Sequence, residues 1–113
     1  MTAREFRQLA LSLPTVVESE HMGHPDFRVG KRIFATLGYP GPGWGMVKLT
    51  PEQQEWLVRA EPASFTPVAG AWGRAGYTNV RLRATRKSVV RDALITAWRN
   101  CASKRLARQL PEE

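Results

Sequence analysis

At 113 residues and 12.7 kDa the chain has the size of one domain, with room for a single hydrophobic core and not for two. Its 42% hydrophobic residues, 24% charged residues and mean hydropathy of −0.36 exclude a disordered or membrane-embedded chain. The net charge of +7 is uneven, because residues 1–73 hold seven basic and seven acidic residues, whereas residues 74–113 hold ten basic against three acidic.

In chain order, Thr2 and Glu5 form a T-x-x-E capping box, and Phe6, Leu9, Ala10 and Leu13 repeat at helical spacing until Pro14, so a helix is expected over about 3–12. Residues 15–22 and 26–29 read as extended, joined by a turn around Gly23 and Pro25. Gly30-Lys31 is a two-residue connection to a further strand, "RIFATLGY". The stretch "PGPGWG", residues 40–45, reads as loop, and "MVKL" returns as a strand. Thr50, Pro51 and Gln53 repeat the helix-start grammar for a helix over about 51–60 that buries Leu57, Ala60 and Trp56. A glycine-rich loop then leads to a strand at 78–83. Thr85 is placed to cap a last helix whose stripe is Val89, Val90, Ala93, Leu94, Ala97, Trp98 and Cys101.

This order of elements predicts an α+β fold in two layers, an antiparallel sheet with helices packed on one face. Strand alternation then points Val80, Leu82, Val47, Leu49, Phe27 and Val29 inward, leaving Arg81, Arg83, Lys48 and Arg28 on the uncovered face. Arginines on alternate strand positions present planar forks to neighbouring phosphates, contacts that give affinity without sequence choice. Cross-strand pairing of Arg81 and Arg83 with Glu18 or Glu20 is the competing role. Arg86 and Lys87, at the expected start of the last helix, oppose its dipole, a conflict that a bound phosphate would relieve.

The segments "ALSLPTVVES", "HPDFRVGKRIFATL", "VKLTPEQQ" and "GAWGRAGYTNVRL", with "ALITAWRNCA" in the last helix, together resemble the MmcQ/YjbR family of small bacterial proteins. The resemblance runs from the first helix to about Ala102. It implies a frataxin-like (CyaY-like) α+β fold and DNA binding through a double-wing arrangement of strands and loops. The chain is accordingly expected to be a single domain over 1–113. A basic C-terminal extension from about residue 103, with Arg105 and Arg108, lies past the recognisable segment.

In "GAWGRAGYTNVRLR", residues 70–83, glycines and aromatic rings adjoin a cationic strand, a combination that suits a polyanion carrying flat bases. Tyr77 is a candidate stacking residue beside Arg74, while Trp72 reads as a plug that fixes the bend before the strand. His21, His24 and Asp26 are ligand-type residues, but i and i+3 on a strand entering a turn are not expected to share a face, and Cys101 is remote. Neither zinc nor the iron suggested by the frataxin-like comparison is expected, and no cofactor is implied.

The chain has no GxSxG, no Walker loop and no dinucleotide fingerprint, so it is not read as an enzyme. The expected partner is DNA with low sequence specificity, or alternatively an acidic protein docked by the same cations. "MTAREFRQLALSLP" has neither an apolar h-region nor a cleavage site, and no apolar run reaches the length of a membrane span. A cytoplasmic protein without membrane association is therefore expected. Metal analysis of the purified protein should find no stoichiometric zinc or iron, and chelators should leave the melting temperature of wild type and of His21→Ala/His24→Ala unchanged. Saturable metal uptake lost in the double variant would reverse that expectation.

Overall fold

In the computed structural model, which describes residues 1–110, the two helix-start signals of the sequence are realised in atomic detail. At the start of α1 (Ala3–Leu11), the Thr2 hydroxyl accepts from the Glu5 amide at 3.1 Å, and the Glu5 carboxylate accepts from the Thr2 amide at 3.0 Å. Thr50 and Gln53 form the same reciprocal pair at the start of α2 (Pro51–Ala60), with Pro51 in the first turn.

Four strands lie between these helices: β1 (Val17–His21), β2 (His24–Val29), β3 (Arg32–Leu37) and β4 (Trp44–Lys48). The first two connections are two-residue turns. Met22 and Gly23 have φ of 51° and 80°, and Gly30 and Lys31 have φ of 56° and 71°. Positive φ at both central residues matches the turn to the right-handed twist of the paired strands. After α2 come β5 (Phe65–Pro67), α3 (Ala71–Arg74), β6 (Tyr77–Arg81), a 3-10 turn at Leu82–Ala84, α4 (Lys87–Cys101) and α5 (Lys104–Ala107).

The strands form one antiparallel sheet in the order β1-β2-β3-β4-β6-β5. Its register aligns Phe27, Ala35, Val47 and Thr78 in one row and Leu37, Gly45, Val80 and Phe65 in the next, on the same face. This face meets the helices. A Cβ at Gly45 would lie 3.0 Å from the Phe6 ring, so the bare backbone there admits α1. The stripe of α4 buries Val90, Ala93, Leu94, Ala97, Trp98 and Cys101, and the Trp98 indole N–H donates to the Pro14 carbonyl at 3.1 Å.

The Asn100 amide donates to the Lys48 carbonyl and to the Gln53 side chain, tying α4 to β4 and α2. The fold is thus α+β in two layers, as the order of elements predicted. Leu106, Ala107 and Leu110, in the C-terminal segment, also pack against the core.

Several local expectations are corrected. Trp44 and Gly45 are strand rather than loop, because the Gly38 amide donates to the Trp44 carbonyl at 2.9 Å and the Trp44 amide to Gly41, closing the loop ahead of them. Pro25 sits in β2 opposite Glu20 rather than in the turn, and the β2–β3 ladder begins only at Asp26. Trp56 is 70% exposed and Ala60 is exposed, since α2 meets the core through Leu57 and Val58.

Residues 70–76 are not a flexible loop but a helical turn, and β5 precedes it. A Cβ at Gly73 would fall 1.7 Å from the Val68 carbonyl oxygen, and one at Gly76 2.0 Å from that of Leu49. Close backbone approach demands these glycines. Thr85 does not cap α4: its hydroxyl donates to the Arg81 carbonyl at 2.6 Å, and Arg86 occupies the N-cap with no side-chain cap bond.

Gly76 also has φ of +108°, so Gly76→Ala combines strain with a clash and should lose at least ~1–3 kcal/mol in urea denaturation. Gly41→Ala, which meets nothing within 4 Å at ordinary φ, should stay within about 0.5 kcal/mol of wild type.

Candidate nucleic-acid interface

The same register that turns Val47 and Val80 toward the helices turns alternate residues of β4 and β6 the other way. Trp44 lies opposite Arg81, Met46 opposite Asn79, and Lys48 opposite Tyr77. The Arg81 guanidinium carbon stands 4.4 Å from the centre of the Trp44 ring, and the Lys48 ammonium 5.4 Å from the centre of Tyr77. Both distances place the cation over the negative face of a ring. Trp72, on α3, meets Tyr77 edge-on with ring centres 4.9 Å apart. Between the two pairs, the Asn79 Oδ1 is buried without a hydrogen-bond partner, the one such side-chain atom among the described residues.

On β2 the same face carries an ion-pair hub. The Asp26 side chain is inaccessible to solvent, and it accepts from Arg28 Nε at 2.8 Å and Arg28 Nη2 at 3.0 Å, while His21 Nδ1 lies 2.8 Å from its second oxygen. Hydrogen bonding from Arg28, with a smaller part from His21, holds the Asp26 carboxyl below the ordinary aspartate range in spite of desolvation. Asp26 in turn raises the Arg28 pKa.

The expected site residues divide accordingly. Arg81 and Lys48 reach the open face, each against a ring, and Tyr77 lies between Lys48 and Trp72. Arg74 is exposed at the end of α3. Arg28 is on the open face with its Nε and Nη2 donating to Asp26. Arg83 is exposed in the 3-10 turn beyond β6 rather than at an alternate strand position.

Arg86 and Lys87 stand in the helical layer and not beside this face. Arg86 lines a groove between α2 and α4 and lies 3.9 Å from Glu61, and the charge of Lys87 is felt by Glu5 of α1. Glu18 pairs with Arg7, and among the described residues Arg81 and Arg83 pair with no carboxylate.

His21 and His24 are direct cross-strand partners, so the two-residue hairpin brings them onto one face, contrary to the strand argument. His21 nevertheless engages Asp26, and His24 packs edge-on against Tyr39. No group of three or more His, Cys, Asp or Glu among the described residues is arranged to hold a metal ion.

Trp44 and Trp72 were missed as surface residues. Trp72 is 63% exposed and plugs no core. Extending the alternation of Met46 and Lys48 back by two residues would have placed Trp44 on the open face. The orphan acceptor of Asn79 has no sequence signal.

An antiparallel sheet with its main helices packed on one face defines the class of this domain. The YjbR family model matches residues 11–100, and the chain belongs to that family. Its fold is similar to the crystal structure of Deinococcus radiodurans protein DR2400, described as a DUF419 domain, with a TM-score of 0.75 and 21% sequence identity over 96% of this chain and 87% of that one. Among curated proteins no significant match is found. No helix among the described residues is long and apolar enough to cross a membrane.

Asp26 gives a pH-dependence with a definite sign. Its folded pKa is depressed, so its contribution to stability is full above the unfolded value of about 3.9 and is lost as pH falls through the lower folded value. Arg28→Ala should raise the Asp26 carboxyl pKa, followed by carbon NMR, and move the acid-unfolding midpoint to higher pH. An unmoved Asp26 titration in the variant would refute the hub.

Proposed function

We propose that this YjbR-family protein is a non-enzymatic, cytoplasmic DNA-binding protein that contacts phosphates through the open sheet face and makes little distinction among sequences. The observation that carries this reading is the pair of cation–ring contacts, Arg81 with Trp44 and Lys48 with Tyr77, on neighbouring strands of one uncovered face. Cations resting on rings are desolvated in part without being neutralised, so they remain available to an anion. Arg83 and Arg74 are exposed near the two ends of β6 and extend the positive surface.

An acidic protein would engage the same cations. It has no particular use for two aromatic faces beside them, whereas a nucleic acid supplies phosphates and planar bases together. The descriptions of the family and of the structural neighbour name no enzymatic activity.

The test is a titration of labelled DNA at two salt concentrations. Counterion release from two to four phosphates should give a slope of log K against log salt of roughly −2 to −4. Arg81→Glu/Arg83→Glu should retain the native circular dichroism and weaken binding at least about tenfold, through loss and reversal of phosphate contacts. Unchanged affinity in that variant would discard the open face as the DNA surface.

A further inference from the structure

We infer that the open face is a single-strand site, in which Trp44 and Tyr77 each take the face of an unpaired DNA base while Arg81 and Lys48 move from those rings to the adjoining phosphates. The inference rests on the DNA-binding reading and adds which form of DNA is bound, and how.

Spacing supplies the first argument. Trp44 is four residues from Lys48 along β4, and Tyr77 is the cross-strand partner of Lys48, so the two rings are separated by roughly 13 Å along the strand direction. Bases in one continuous stack are about 3.4 Å apart. Bases held on the two rings are therefore about four stacking steps apart and not adjacent in one stack. In a duplex every base face is covered by the next base pair, and only the edges are on offer. Ring faces on a flat sheet have a use for unpaired bases and little for a duplex.

The occupancy of the rings supplies the second. Each ring already holds a cation over its face, at 4.4 Å for Arg81 and 5.4 Å for Lys48. A base approaching either ring displaces a group that a phosphate can receive. The exchange replaces a cation–ring contact by base stacking and adds a charge-assisted phosphate contact, with no buried charge stranded. Trp72 braces the Tyr77 ring edge-on from α3, which keeps its plane fixed while Lys48 leaves.

The third argument is Asn79. It lies on β6 midway between Tyr77 and Arg81, on the same face, and its Oδ1 is buried without a donor. An amide offers one donor and one acceptor side by side, the pairing a base edge presents. A turn of this side chain, which its unmet acceptor does not resist, gives the nucleotide that bridges the two rings an edge to bind.

Among the described residues, the groove between α2 and α4, of about 520 Å³, is lined by three carboxylates, Glu52, Glu61 and Asp92, against the one cation Arg86, a balance that disfavours a phosphate backbone.

The experiment uses the full chain at low salt with three labelled probes of equal strand length: oligothymidylate, the same backbone lacking bases, and a mixed-sequence duplex. Oligothymidylate should bind more tightly than either of the others, and Trp44→Leu and Tyr77→Leu should each weaken it roughly five- to a hundred-fold, the worth of one stacked base. The baseless probe should be indifferent to both substitutions. It also tests stacking in the wild-type protein, so the inference stands or falls even where a variant does not fold.

Equal binding of all three probes, or a preference for the duplex, lost in Arg81→Glu/Arg83→Glu, would overturn the single-strand site while leaving DNA binding intact. Tight oligothymidylate binding unaffected in folded Trp44→Leu and Tyr77→Leu would overturn the placement of the bases. Absence of binding to any probe would overturn this inference and the DNA-binding reading together.

Discussion

Phe6 of α1 rests on the bare backbone of Gly45 at the middle of the sheet, and Trp98 of α4 is wholly buried close by in sequence to the residues that tie α4 to β4. This contact between helical layer and sheet fixes which face of every strand is interior. Val47 and Val80 are fully buried because they share the row system of Gly45. Trp44, Lys48, Tyr77, Asn79 and Arg81 face outward for the same reason, since a strand has only two faces. A one-residue slip of β4 against β6 would turn one of the two strands over, exchanging Val47 with Lys48 or Val80 with Arg81 between core and open face, so the core holds the register through its apolar burial.

The open face is consequently built of side chains that must satisfy one another. Asp26 is buried by its neighbours and carries Arg28 and His21, a closed arrangement in which the charges are spent. At the other side of the sheet, the cations meet rings instead of carboxylates. A ring holds a cation by its quadrupole, a weaker grip than a buried carboxylate exerts with two hydrogen bonds. The face thus divides into a structural half on β1 and β2 and a half on β4 and β6 whose cations can be drawn away by an anion.

The helical side differs in character. Its groove between α2 and α4 collects Glu52, Glu61 and Asp92 in a chain of net charge +7, and Arg86, the N-cap of α4, lines it. The excess positive charge visible along the sequence is therefore shared between the open sheet face and the helical layer. Counting cations along the chain overstated the number available at the sheet.

Signals that act over three or four residues were legible in the sequence: both capping boxes, the Gly30-Lys31 turn, the α4 stripe and the inward set Phe27, Val29, Val47, Leu49 and Val80. Local hydrogen bonds and the periods of helix and strand determine these, and with them the α+β class and the side of the sheet on which Arg81 and Lys48 emerge. Partners distant in sequence were decided only by the tertiary structure. Arg81 finds Trp44 because β6, arriving after α2 and β5, pairs with β4, and the Trp98 indole reaches the Pro14 carbonyl from the far end of the chain.

The glycines of residues 70–76 look like flexibility in a one-dimensional reading, yet they are fixed by carbonyls of Val68 and Leu49 that would collide with any Cβ. Their role depends on where another part of the backbone passes. Local sequence determines what an element is and which way its side chains alternate, whereas the closing of strands into a sheet determines what each side chain meets.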